Sequence, residues 1–188
     1  REELAKAEAA VICVMPFDDV RPDRALHVQL TLLHTLFPDA RAYLDLSRLK
    51  VLPAGWVRLA AESAVAPQGD YLYTLRLSGD ETHDQIWMTT QGLSCCGLRE
   101  LEIWDATKEN YQQYADFLCF AAERILLRGT VDDAGMPFTV LRRADGEPVV
   151  CTWLPAAEAA ADYPDSDPGA DVIRRDMLGD SYDERTGA

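Results

Sequence analysis

The stretch WMTTQGLSCCGLRELEIW, from Trp87 to Trp104, decides the fold predicted for this chain. Apolar and polar residues alternate on both sides of a turn that contains Gly92 and Gly97, so the stretch predicts two strands joined by a short link. Short links are typical of antiparallel neighbours. The segment Tyr71–Ser78 has the same period of two, which extends the prediction to a three-stranded antiparallel meander.

Apolar residues at helical spacing predict two main helices. The first lies between Pro22 and Pro38, with Pro22 in its first turn, and the second is capped by Thr107 and stopped by Gly129. A shorter helix is predicted over Pro53–Ser63.

Further strands are predicted from the remaining apolar runs. The run Ala9–Phe17 is continuous and rich in β-branched residues, which predicts a central strand buried on both faces. Ala42–Leu46 is a short strand. The pair Asp145-Gly146 predicts a hairpin between Phe138–Arg142 and Pro148–Leu154.

Together these elements predict an α+β fold with a mixed, largely antiparallel sheet of about five to seven strands packed by the two main helices. We predict a single domain over residues 1–154, since the length suits one core. Residues 155–188 form an acidic Ala/Asp/Pro-rich extension with nine Asp and Glu against three Arg. Short helices, such as Ala170–Leu178, are expected in it.

The formal net charge of −14 limits the partners. Nucleic acids and anionic membranes bind through Lys and Arg, so neither is expected, and a basic protein is the electrostatic complement. No apolar run reaches the length of a membrane span and no signal peptide is recognisable, so a cytoplasmic location is expected. The five cysteines lack C-x-x-C spacing and are expected to be reduced thiols.

Two pairs of residues in the opening stretch are candidates for chemistry. Glu100 and Glu102 share a strand face roughly 7 Å apart, which suits metal binding or acid–base work, although an exposed face that meets solvent is the favoured interpretation. Cys95 or Cys96 would be nucleophilic only with a lowered thiol pKa and a base, so turn packing is favoured for both.

The three histidines do not supply the missing base or metal ligands. His27 and His34 are seven positions apart, whereas two ligands of one metal on a helix are usually four apart, and His83 lies in a polar segment. The chain also lacks the glycine-rich phosphate motifs and the nucleophile elbow. No cofactor and no metal is therefore predicted.

Thr90-Gln91-Gly92-Leu93, Gly97 and Glu100-Leu101-Glu102-Ile103 resemble the T-x-G-L-x-x-x-G-x-x-E-L-E-I signature of uncharacterised bacterial domain families. The resemblance covers residues 10 to 154 and includes Trp87 at its edge. It implies a shared α+β fold of unknown function. Some relatives carry His-Thr-His before Gly-Leu, where this chain has Thr89, Thr90 and Gln91, so a role of those histidines is absent here.

Three hypotheses for the function follow. The leading one is a non-enzymatic bacterial interaction module, of the immunity or accessory type, with an acidic surface for a basic protein. The second is a hydrolase or metal-dependent enzyme that uses Glu100, Glu102 and Cys95 or Cys96. The third is a structural domain of a longer protein, suggested by Arg1 at the first position.

Overall fold

A computed structural model describes residues 10–16, 21–79, 84–128, 137–142, 148–154 and 156–176. The described parts of residues 1–74 and 91–97 form one compact unit, the first unit, and those of residues 75–90 and 98–188 form another, the second unit. Both contain helices and strands, so the α+β class is confirmed. None of the described helices is both long and apolar enough to cross a membrane.

The first unit consists of two helices and a small antiparallel sheet. Helix α1 (Pro22–Leu36) has Pro22 in its first turn and buries Leu26 and Leu30, as predicted. Strands β1 (Ala42–Asp45) and β2 (Lys50–Pro53) pair as a two-stranded hairpin. Helix α2 (Ala54–Glu62) then packs against α1 and against the hairpin. Val57 is buried, while Leu59 is exposed.

The second unit is built on a six-stranded sheet in the order β3-β4-β5-β8-β7-β6. Its elements are β3 (Thr74–Gly79), β4 (Gln85–Gln91), β5 (Glu100–Thr107), α3 (Tyr111–Arg128), β6 (Pro137–Arg142), β7 (Pro148–Trp153), α4 (Ala156–Asp162) and β8 (Ala170–Asp176). The predicted order of β3, β4 and β5 is confirmed, and β4 runs antiparallel to β5. The predicted hairpin of β6 and β7 is confirmed as well. Its turn lies outside the described residues.

Helix α3 supplies the largest apolar face of the second unit. Seven of its residues are buried, in the helical spacing that the sequence predicts: Tyr114, Ala115, Phe117, Leu118, Ala121, Ala122 and Ile125. The predicted cap is wrong, because Thr107 pairs with Gln85 and therefore ends β5 instead of starting the helix. Asn110 precedes the helix, and its Oδ1 accepts a hydrogen bond from the Thr107 backbone N–H at 2.7 Å. The predicted stop, Gly129, lies outside the described residues.

Two predictions at the ends of the chain are wrong. Residues 10–16 lie in no strand, although their composition predicts a central one. Residues 170–176 are a strand and not a helix. This strand, β8, pairs in parallel with β5 through Ala170–Val172 and antiparallel with β7 through Ile173–Asp176, so it joins the meander to the hairpin. Local composition cannot report such pairing, because both partners of β8 come from earlier parts of the chain.

Candidate functional site

The signature turn belongs to the first unit and is built on two glycines in the left-handed region, Gly92 at φ 118° and Gly97 at φ 73°. A single 3₁₀ turn, Leu93–Cys96, lies between them. Leu93 is completely buried, and the Sγ atom of buried Cys96 donates to the Gly92 carbonyl at 3.9 Å. Cys95 is exposed, so the expected burial of both cysteines is correct for Cys96 only.

Arg48 is a buried charged residue in the described part of the first unit, with 3% of its surface exposed. Its guanidinium donates to Asp45 Oδ2 at 2.6 Å and to the Leu72 carbonyl at 2.7 Å. The other oxygen of Asp45 accepts the backbone N–H groups of Ser47 and Arg48, each at 3.1 Å. This ion pair fixes the turn between β1 and β2 and ties it to the segment before β3. We call Arg48 and Asp45 the arginine node.

Gly92 is required beside the arginine node for a second reason. A Cβ atom at this position would lie 2.6 Å from Arg48 Cγ and 2.8 Å from the Leu72 carbonyl oxygen. Both distances are shorter than real Cβ contacts. The Gln91 side-chain amide completes the connection by donating to the Ser47 carbonyl at 3.1 Å. The glycine of the signature is therefore explained by packing within the first unit.

In the second unit, Thr90 connects the ends of β4 and β5. Its hydroxyl donates to Glu100 Oε2 at 2.9 Å and accepts the Leu101 backbone N–H at 2.8 Å. Thr90 is buried, and its bond to the Leu101 N–H is buried with it, while the bond to Glu100 is partly buried. The signature residues Thr90 and Glu100 thus come together as a clamp on the strand register.

Glu102 lies in the middle of the sheet, between Thr89 of β4 and Val172 of β8. Only 1% of its surface is exposed. Its Oε2 atom accepts the indole N–H of Trp104 at 3.1 Å and the backbone N–H of Asp167 at 3.4 Å. The prediction that both glutamates meet solvent is therefore wrong for Glu102.

Three aromatic rings are grouped around Trp104, whose indole N–H donates to this carboxylate. The Trp87 and Trp104 rings are 5.4 Å apart between centroids, and Tyr163 stacks on Trp104 at 6.1 Å. Trp104 and Tyr163 also pack on a small cluster of Leu154, Ala159 and Val172. Tyr163 therefore lies beside Trp104, and Asp167, between α4 and β8, lies beside Glu102.

Burial raises the pKa of Glu102 above its usual range. Several smaller effects act on the same group: the Trp104 indole and the Asp167 backbone N–H favour the charged form, the Asp167 charge opposes it, and the buried indole of Trp87 favours it. A carboxyl with a raised pKa is suited to hold a proton, which general acids do. Here the neighbouring groups are aromatic rings and backbone, and the carboxyl is covered.

The predicted site residues are divided between the two units. Trp87, Glu100 and Glu102 lie in the second unit, whereas Cys95 and Cys96 lie in the first. A catalytic role for any of these residues remains a prediction. No group of three or more metal-ligating side chains occurs in the part of the chain that the structure describes. His34 lies 3.9 Å from Glu62, and the Nε2 atom of His27 is buried.

Sequence reasoning missed Asp45, Arg48, Tyr163 and Asp167. The spacing Asp-x-x-Arg inside a predicted turn is a local signal for the arginine node, because an Asp at such a position accepts the next backbone N–H groups. No local signal marks Tyr163 or Asp167, since their partners Trp104 and Glu102 are distant in sequence.

Helix α1 presents apolar residues to solvent as well as to the core. Val28, Leu32 and Leu36 follow each other at intervals of four and are 59%, 44% and 59% exposed. Side chains at that spacing form one stripe on a helix. We call these three residues the α1 stripe. It lies opposite Leu26 and Leu30, so the helix is apolar on two sides.

The hairpin has a second exposed apolar face. Leu44 of β1 and Val51 of β2 are directly paired, and they are 56% and 61% exposed. Leu46 and Leu49 in the connecting turn are also exposed. We call these four residues the hairpin face.

Comparison with protein families gives two matches that follow each other along the chain. Residues 1–67 match the N-terminal family of the protein of unknown function DUF4026, and residues 76–187 match its C-terminal family. No curated protein and no solved structure matches the chain at a significant level. The second match alone covers more than half of the sequence, and the chain belongs to the DUF4026 family of uncharacterised proteins.

Proposed function

We propose that this protein is a non-enzymatic interaction module, of the immunity or accessory type, which binds a basic protein through the α1 stripe. The exposure of Val28, Leu32 and Leu36 carries this proposal, because a helix that is apolar on two sides is normally covered on both. An apolar helix face laid into a groove is a common mode of protein recognition.

The net charge of −14 supports a basic partner. Opposite charge accelerates the encounter of two proteins and makes their association depend on salt, while apolar contact supplies most of the affinity. Binding is therefore expected to weaken as the salt concentration rises.

The test uses the purified protein as bait in an extract of its source cells. The V28S/L36S variant removes the two most exposed side chains of the stripe, and Leu127→Ser removes a comparably exposed leucine at the end of α3. A protein of high isoelectric point that is retained by the wild type and L127S, released by salt and lost with V28S/L36S supports the proposal. Retention that ignores the stripe or the salt would contradict it.

An enzyme is the second candidate, and the raised pKa of Glu102 is the observation that favours it. A metal-dependent version predicts that the purified protein carries a bound metal at a stoichiometric amount and that Glu100→Gln or Glu102→Gln lowers it. Equal metal content in the wild type and both variants would exclude this version.

A further inference from the structure

Residues 10–16, with the sequence AVICVMP, form an exposed apolar arm in the first unit. Val11, Ile12 and Val14 are 60%, 78% and 88% exposed. The arm contains no charged residue and is rich in β-branched side chains, which pack well in strands. Apolar surface of this kind gains free energy when it is removed from water.

The hairpin of β1 and β2 has features that could accept such an arm. Among the described residues it is a sheet of two strands, so each strand has an open edge there, and it exposes the hairpin face. Two-stranded sheets are marginally stable alone, and an open edge next to exposed leucines is a ready template for another strand. In its own chain the arm lies outside this sheet.

We propose that the arm of one copy adds as a third strand to the hairpin of a second copy, so that reciprocal exchange forms a dimer with two-fold symmetry. The arm has seven residues and each hairpin strand has four, so the arm is long enough to pair along a whole edge. Both contact surfaces are uncharged at their centre. The charge of −14 on each copy therefore opposes the dimer only at long range.

This exchange goes beyond the proposed function and uses a different surface. The α1 stripe plays no part in the exchange. The salt dependence of dimerisation is expected to be opposite in sign to that of binding to a basic partner. Screening weakens the attraction of a basic partner, whereas it weakens the repulsion between two acidic copies. The dimer is therefore expected to tighten as salt is added.

Sedimentation velocity of the full chain tests the proposal. The wild type is expected to form a dimer whose fraction rises with protein and salt concentration. I12D/V14D on the arm and Leu44→Asp on the hairpin face are expected to give monomers, while V28S/L36S keeps the dimer. All these side chains are exposed, and circular dichroism checks that each variant is folded. A wild type that stays monomeric, or a dimer that persists in both Asp variants, would overturn the exchange.

Thiol cross-linking identifies the strand donor. In a Cys95→Ser background, a short bismaleimide joins native Cys13 to a cysteine introduced by Val51→Cys, and Cys13→Ser serves as the control. Linkage between two chains supports the exchange. Linkage of Cys13 to position 51 within one chain, or no linkage that depends on Cys13, would overturn it.

Discussion

The described residues of each compact unit include one buried charged side chain, and the two charges are compensated in different ways. Arg48 in the first unit meets the opposite charge of Asp45 and a backbone carbonyl. Glu102 in the second unit is met by neutral donors, an indole and a backbone N–H, and the nearby Asp167 charge is unfavourable. A paired charge is expected to hold its site together, whereas a charge among neutral donors is held at a cost that depends on pH.

The largest effect is expected from Arg48→Ala. It leaves the partly buried Asp45 carboxylate and the Leu72 carbonyl without their partner, and the loss of one partner of a buried ion pair typically lowers the free energy of unfolding by about 3–5 kcal/mol. Urea unfolding followed by the fluorescence of Trp56, with the second-unit tryptophans replaced by Phe, measures the loss in the first unit. Arg21→Ala is the control, because the Arg21–Asp23 pair is exposed and such pairs contribute about 1 kcal/mol or less. Similar losses for both variants would refute the special role of Arg48.

Gly92→Ala is expected to lower the free energy of unfolding by about 2–4 kcal/mol, because it adds backbone strain and a clash with Arg48 and Leu72. The same substitution at Gly97, also in the left-handed region, is expected to cost about 1–2 kcal/mol. Thermal unfolding of both variants compares them. Since Arg48 Cγ is one of the clashing atoms, the effects of R48A and G92A are expected not to add. Additive losses would show that Arg48 moves away from the added methyl group at little cost in free energy.

Glu102 is tested by two substitutions with opposite expectations. Glu102→Ala leaves the Trp104 and Asp167 N–H groups without an acceptor and is expected to lower the free energy of unfolding by about 1–3 kcal/mol. Glu102→Gln keeps an acceptor oxygen and removes the charge, so it is expected to match or exceed wild-type stability at neutral pH. Thermal melts of both variants would contradict this if Gln were as harmful as Ala.

The pH dependence of the Glu102→Gln effect follows from the raised pKa. The folded state binds the proton of Glu102 more tightly than the unfolded state, whose pKa is about 4.3. The contribution of Glu102 to the free energy of unfolding is therefore largest at pH values below the unfolded pKa. It falls as the pH rises through the folded pKa. Burial raises the pKa of Asp171 as well, so the difference between wild type and Glu102→Gln is the quantity to measure. A difference that stays constant from acidic to neutral pH would contradict the assignment.

Thr90→Val is expected to lower the free energy of unfolding by about 1–2 kcal/mol, because it removes the acceptor of the buried Leu101 N–H. Thr31→Val is the control, since the Thr31 hydroxyl bonds to the His27 carbonyl on an exposed helix surface. Hydrogen exchange at Leu101 is expected to accelerate in T90V. Unchanged exchange there would show that the hydroxyl does not hold the strand register.

The comparison of the two units also separates what the sequence predicts from what it hides. Period-two and helical patterns are local, and they correctly gave β4, α1 and the apolar face of α3. Strand β8 carries several charged residues and gains its place from pairing with β5 and β7, so no local pattern reveals it. The surroundings of Glu102 depend on that placement, because Glu102 pairs with Val172 of β8 and accepts the backbone N–H of Asp167, which precedes β8. The position of Arg48 depends in turn on Leu72, 24 residues away.

The central place of β8 has a consequence for the order of folding. The β4–β5 and β6–β7 pairs connect neighbours in sequence and can form early, but β8 pairs Ala170 with Glu100 across most of the second unit. Contacts between such distant residues form slowly, because a long loop must close first. During synthesis the sheet therefore stays incomplete until β8 has left the ribosome. Until then, the meander and the hairpin each have an unpaired edge strand. A chain cut just before β8 would be left with two half-sheets and exposed edges prone to aggregation.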